Sequence, residues 1–110
     1  MSDLTIQQVM ENTPKVFQPA AAEGVNAVVQ FHFTGAEASD WVLTIAEGQC
    51  TTQPGQHDSP TMTMTIDSQD YLDIISGKLN AMSAFMQGKV KVKGDMGLAM
   101  KFPTFFKMSG

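Results

Sequence analysis

The sequence predicts an α+β fold: a five-stranded, mixed and mostly antiparallel sheet covered on one face by helices. Three observations carry this expectation. Five short runs alternate apolar and polar residues with the period of two that a half-buried strand requires. Between and around them lie runs with apolar residues at helical spacing. About twenty residues of helical pattern separate the last two strands, which suits a crossover rather than a hairpin and makes the sheet mixed. A chain of 110 residues is expected to form one domain over residues 1–110.

The elements follow in order. Thr5-Ile6-Gln7-Gln8 reads as a capping box, the Thr5 hydroxyl and the Gln8 side chain each satisfying a free backbone group. Leu4 and Val9 stand where a hydrophobic staple would be, and a short helix from Ile6 to Glu11 follows. Thr13 is expected to cap the next turn, which Pro14 opens and Pro19 limits. The period then changes. From Asn26 to Thr34, Ala27, Val29, Phe31 and Phe33 face one way and Val28, Gln30, His32 and Thr34 the other. Gly35 to Asp40 reads as a polar turn, Trp41 to Ala46 as the second strand, and Glu47-Gly48 as a tight turn into a third strand, Gln49 to Gln53. Pro54 to Pro60 is a loop. Thr61 to Ile66 alternates threonine against Met62, Met64 and Ile66, and is the fourth strand.

Asp67 or Ser68 caps a helix over Gln69 to Ser76 with the stripe Tyr71, Leu72 and Ile75, stopped by Gly77. Leu79, Met82, Phe85 and Met86 give the next helix its apolar stripe, which Gly88 breaks. Lys89 to Lys93 alternates lysine with Val90 and Val92, an edge strand with a solvated basic face. Gly94-Asp95 turns and caps a last helix bearing Met96 and Met100, disturbed by Pro103.

Composition excludes several functions. At 43% hydrophobic and 16% charged residues the chain is an ordinary globular one. The net charge of −4 hides an asymmetry: residues 1–76 carry ten acids against Lys15, and residues 77–110 six lysines against Asp95. There is no arginine, which argues against nucleic-acid recognition. The basic end allows transient contact with an anionic membrane surface. No apolar run approaches ~18 residues, and the N-terminus lacks the pattern of a secretory signal. Cys50 is the one cysteine, so no internal disulfide can form. The expected location is the cytoplasm.

Catalytic chemistry is not expected. Cys50, His57 and Asp58 are the available nucleophile, base and orienting group, and no basic residue beside Cys50 would activate it. Two widely spaced histidines, His32 and His57, and one cysteine do not make a zinc site. Asp67, Asp70 and Asp73 read as helix-start decoration, where negative charge suits the dipole. The chain has no glycine-rich phosphate loop. No metal or cofactor is expected.

The most distinctive run is Gly77 to Phe102, GKLNAMSAFMQGKVKVKGDMGLAMKF. Its methionines stand on successive elements, and unbranched thioethers can repack around flexible apolar molecules. With PKVFQPAAAEGVNAVVQFHFTG and DWVLTIAEGQC, this run makes the chain resemble the sterol carrier protein type 2 (SCP-2-like) domain family over nearly its whole length. The order Gly-Lys-Leu, Phe-Met-x-Gly-Lys, Lys-Val-Lys-Gly-Asp-Met is the specific part. The resemblance implies a sheet backed by helices around an apolar tunnel. It also implies non-enzymatic binding and transfer of a fatty acid, acyl-CoA, sterol or similar lipid. The absence of a peroxisomal tripeptide at the C-terminus fits a bacterial or cytosolic member.

The lining expected on this reading is Phe31, Met64, Ile66, Leu72 and Ile75, then Met82, Phe85, Met86, Leu98, Met100 and Phe102. Phe102 to Met108, with Phe105 and Phe106, is expected to form a lid. Met86→Asp is expected to abolish lipid uptake. The alternative is an accessory module that presents a lipid-like intermediate, such as a quinone precursor, to enzymes. Either role suits a monomer or a weak homodimer.

Overall fold

Strand β1 (Ala27–Thr34) is the centre of a five-stranded sheet in a computed structural model that describes residues 5–106. The other strands are β2 (Ser39–Ala46), β3 (Gln49–Pro54), β4 (Met62–Asp67) and β5 (Val90–Gly94), in the spatial order β3-β2-β1-β4-β5. Helix α1 (Ile6–Asn12) precedes the sheet, α2 (Ser68–Ile75) and α3 (Ala81–Met86) join β4 to β5, and α4 (Met96–Lys101) follows. Short 3-10 turns cover Thr13–Val16, Pro19–Ala22, Gly35–Glu37 and Phe102–Phe105.

The sheet is mixed, but its parallel pair is not the one the helical spacing suggested. β1 and β4 run parallel, while β4 and β5 are antiparallel. Val90, the first residue of β5, lies opposite Ile66 near the end of β4. The two intervening helices therefore return the chain to the end of the sheet it left, and an out-and-back connection of this kind joins antiparallel strands. The crossover is instead the longer excursion through β2, β3 and the following loop.

Period-two alternation places the core. Val29, Phe31, Leu43, Ile45, Met62 and Ile66 lie on one face and are buried. The opposite face is partly closed by the loop after β3. Gln30, only 3% exposed, holds that loop: its amide donates to the carbonyls of Trp41 and Gly55 and accepts from the His57 N–H at 2.7 Å. Beside it, the His32 Nδ1 lies 2.7 Å from an Asp40 carboxylate oxygen, and this cross-strand contact accompanies a β2 that begins at Ser39, two residues before Trp41.

The Thr5 capping box forms as expected. Leu4, its staple partner, lies outside the described residues. Thr13 does not cap the following turn. It closes the last turn of α1, and its hydroxyl donates to the Val9 carbonyl at 2.7 Å, so Asn12 begins the next turn without a side-chain bond.

Candidate functional site

Helices α2, α3 and α4 stand over the inner face of the sheet without filling the space beneath them. A cavity of about 140 Å³ remains, which is room for on the order of ten water-sized groups. Met64 and Ile66 of β4 with Val90 and Val92 of β5 form its sheet side. Tyr71, Ile74 and Ile75 of α2 form one wall, and Ala99, Phe102 and Phe106 another.

The seating of α3 explains the opening. Asn80 caps it, its side chain accepting from the Ser83 N–H. The one buried residue of this six-residue helix is Ala84; Gly88, at φ +79°, turns the chain so that the Lys89 N–H donates to the Ala84 carbonyl at 2.9 Å and ends the helix. Met82 and Phe85 are thereby carried to the rim rather than into the core, at 48% and 36% exposure, and Met96 and Met100 of α4 stand there too at 45% and 58%. Large apolar side chains left in water on adjacent elements mark a binding surface more often than a packing accident. Among the described residues no Lys, Asp, Glu or His lines the cavity, and the polar side chains that do are the hydroxyls of Thr13 and Tyr71.

The structure brings together Met64, Ile66, Ile75, Met82, Phe85, Met100, Phe102 and Phe106 of the expected lining. Phe31, Leu72, Leu98 and Phe105 are buried in the core behind it and do not reach the cavity surface. Met86 stands apart, 79% exposed and off the lining. At four residues from Met82 it shares the helical stripe in sequence, but the helix turns its buried side to Ala84, leaving Met86 over solvent.

Within the segment expected to be a lid, Phe102 and Phe106 form part of the cavity wall. Phe105 is 1% exposed, the Gln18 N–H donates to its carbonyl at 2.7 Å, and Phe106 pairs with Phe17 as an isolated bridge. The Phe102 and Phe106 rings lie 5.1 Å apart, a spacing typical of stabilising aromatic pairs. Met108 lies outside the described residues.

Sequence reasoning missed Thr13, Val16, Tyr71, Ile74, Ala81, Val90, Val92, Met96 and Ala99 as lining. Tyr71 carried a signal, standing in the α2 stripe, and so did Val90 and Val92, which had to face something opposite the lysines. The exposed Lys91 and Lys93 do occupy the solvated face of β5.

Cys50 and His57 are on opposite sides of the sheet. Cys50 belongs to the core cluster, and burial pushes its thiol up to about 11, away from the reactive thiolate. His57 is exposed in the loop bound to Gln30, on the other face. Asp67 caps α2 by accepting from the Gln69 N–H at 2.9 Å, and Asp73 accepts from the Gln69 amide. Among the described residues no group of His, Cys, Asp and Glu could hold a metal ion, and no helix is long and apolar enough to cross a membrane.

Comparison with known proteins places this geometry. The profile of the SCP-2 sterol transfer family matches residues 6–107. The chain is 31% identical over 97 residues to hydroxysteroid dehydrogenase-like protein 2 of Xenopus tropicalis, covering 87% of this chain and 23% of that protein. It is 39% identical over 67 residues to human sterol carrier protein 2, covering 61% of this chain and 12% of that protein. The chain thus spans under a quarter of these relatives. The solution structure of sterol carrier protein domain 2 of Helicoverpa armigera superposes with a TM-score of 0.70 at 34% identity, covering 88% of this chain and 79% of that one.

Proposed function

This chain belongs to the SCP-2 sterol transfer family, and on that premise we propose that it binds an apolar lipid in the cavity between sheet and helices and carries it without chemical change. The observation that carries this reading is an apolar space of about 140 Å³, kept open in so small a chain and rimmed by exposed methionines and Phe85. A lipid tail gains ~0.8 kcal/mol per methylene on leaving water, and a bilayer offers the same. A carrier therefore has only to match the bilayer, which adaptable thioether side chains do across tails of different shape.

The fatty acid, acyl-CoA and sterol classes all fall within this reading. The rim supports brief contact with an anionic membrane during loading, since Lys101 adjoins Met100 and Lys89 follows α3. The sealed Cys50 thiol, turned away from His57, supports a carrier rather than a catalyst. A cytoplasmic monomer would suffice for the role.

The test is direct. The protein purified from cells is denatured and its extract analysed by mass spectrometry for co-eluting lipid; the native protein is then titrated with a fluorescent fatty acid. Stoichiometric, saturable binding is expected. Binding no tighter than to a protein control with surface sites alone would overturn the reading. Saturable binding with no transfer between vesicles, but with capture of lipid-processing enzymes, would favour the presenting role instead.

A further inference from the structure

Tyr71 is an anomaly in an otherwise apolar site. It is 8% exposed, with its ring packed against Phe31 and Phe33 at centroid distances of 5.8 and 5.1 Å. Phenol hydroxyls so deeply buried ordinarily find a hydrogen-bond partner. Among the described residues the Tyr71 hydroxyl has none, yet it is not sealed, because every fully enclosed side-chain polar atom there is bonded. Tyr71 is one of the residues that line the cavity. Thr13 lines the same cavity with its proton committed to the Val9 carbonyl, leaving an oxygen able to accept.

We infer that Tyr71 is a specificity-determining residue that receives one neutral oxygen of the ligand: a hydroxyl, a ketone or an ester carbonyl on an otherwise apolar body. This rests on the reading of the cavity as a lipid site and narrows its ligand class. A saturated hydrocarbon tail in contact with Tyr71 leaves the phenol unbonded, while an oxygen there completes it. An ionised carboxylate is unsuited to that position, because among the described residues no cation lines the cavity to balance it. A carboxylate belongs at the rim, in water, and the oxygen that Tyr71 reads lies further along the molecule.

The probes are hexadecanoic acid and its mid-chain and terminal hydroxy derivatives, titrated into the wild-type protein and Tyr71→Phe. Removing the hydroxyl keeps the ring and its packing. Tyr71→Phe is expected to reduce the preference for at least one hydroxy derivative over the parent acid by about three- to tenfold. The melting temperature is expected to hold or rise slightly, since the lost hydroxyl bonds nothing among the described residues. Equal preferences in the two proteins, with both still binding, would overturn the assignment of Tyr71 and leave the carrier reading standing. A marked fall in melting temperature would also overturn it, by showing that the hydroxyl serves the fold. Failure of every probe to bind the wild-type protein would remove both conclusions together.

Discussion

Filling the cavity from its wall should make the protein more stable and a worse binder. Mutant series give a loss of about 24 cal/mol for each Å³ of unfilled core. On that scale a cavity of 140 Å³ corresponds to about 3 kcal/mol, a large share of the ~5–15 kcal/mol that holds a domain together. Ala99 is the place to recover some of it. It stands on α4, lines the cavity and packs half-buried against the core. Leucine there adds three carbons without loss of helix propensity. At ~0.8 kcal/mol per carbon the ceiling is about 2.4 kcal/mol, and a half-buried position realises roughly half of it. Ala99→Leu should therefore gain about 1 kcal/mol, or ~5 °C in Tm.

The same three carbons occupy space that three methylenes of a ligand would fill. Excluding them costs the ligand about 2 kcal/mol, close to thirtyfold in Kd. Thermal melts and fluorescent fatty-acid titrations of one preparation measure both quantities. Ala36→Leu, on the exposed turn after β1, serves as a control that should move neither. A destabilised Ala99→Leu protein with unchanged affinity would refute the reasoning, for it would mean that α4 already packs tightly and the ligand space lies elsewhere.

Three further outcomes are expected. Gly94 has φ +105° and an added Cβ would stand 2.5 Å from the Thr61 carbonyl oxygen, so Gly94→Ala should lose about 2–3 kcal/mol in urea unfolding; a loss below ~1 kcal/mol would show that the β4–β5 pairing adapts. Met86→Asp should leave lipid affinity within about twofold, because Met86 is 79% exposed and off the lining, whereas Met64→Asp puts a charge against the cavity and should weaken binding by more than about tenfold; parallel titrations decide it, and loss of uptake in Met86→Asp would reinstate the expectation from sequence. Hydrogen bonds from the Gln56 amide and then His32 hold the Asp40 carboxyl below its ordinary range. A depressed carboxylate stabilises the fold above its unfolded pKa of ~3.9 and ceases to do so as pH falls through the lower folded value. Because Asp40 is about one-third exposed, Asp40→Asn should cost under ~1 kcal/mol near neutrality, with the gap from wild type closing in acid; urea midpoints across pH would show a constant gap if the reasoning fails.

The strands were legible because alternation is a local property. Phe31 and Phe33 had to share a face whatever lay above them, and Asp67 announced the start of α2 through its own side chain. The direction of β5 was not legible. Twenty residues of helix can carry a chain across a sheet or return it to the same end, and Val90 opposite Ile66 is settled only by how α2 and α3 pack. The buried Gln30 was hidden for a related reason: its partners are backbone groups of Trp41, Gly55 and His57, which no pattern of side chains announces.

The site itself was half legible, and its missing half follows from what a cavity is. Met64, Met82 and Met86 are the same residue type in apolar stripes, yet one forms the sheet side of the cavity, one its rim, and one projects into water. What separates the last two is Ala84, whose burial fixes the rotation of α3. Packed core and cavity wall draw on the same amino acids, because a cavity is the distance left between elements rather than a property of any of them. A sequence can thus indicate that a wall is soft without showing that it stands away from its neighbour. The exception is a polar group that a close-packed core would refuse. Tyr71 sat in an ordinary helical stripe, but a phenol deeply buried with no partner for its hydroxyl among the described residues is the kind of local inconsistency that an empty, ligand-sized space resolves.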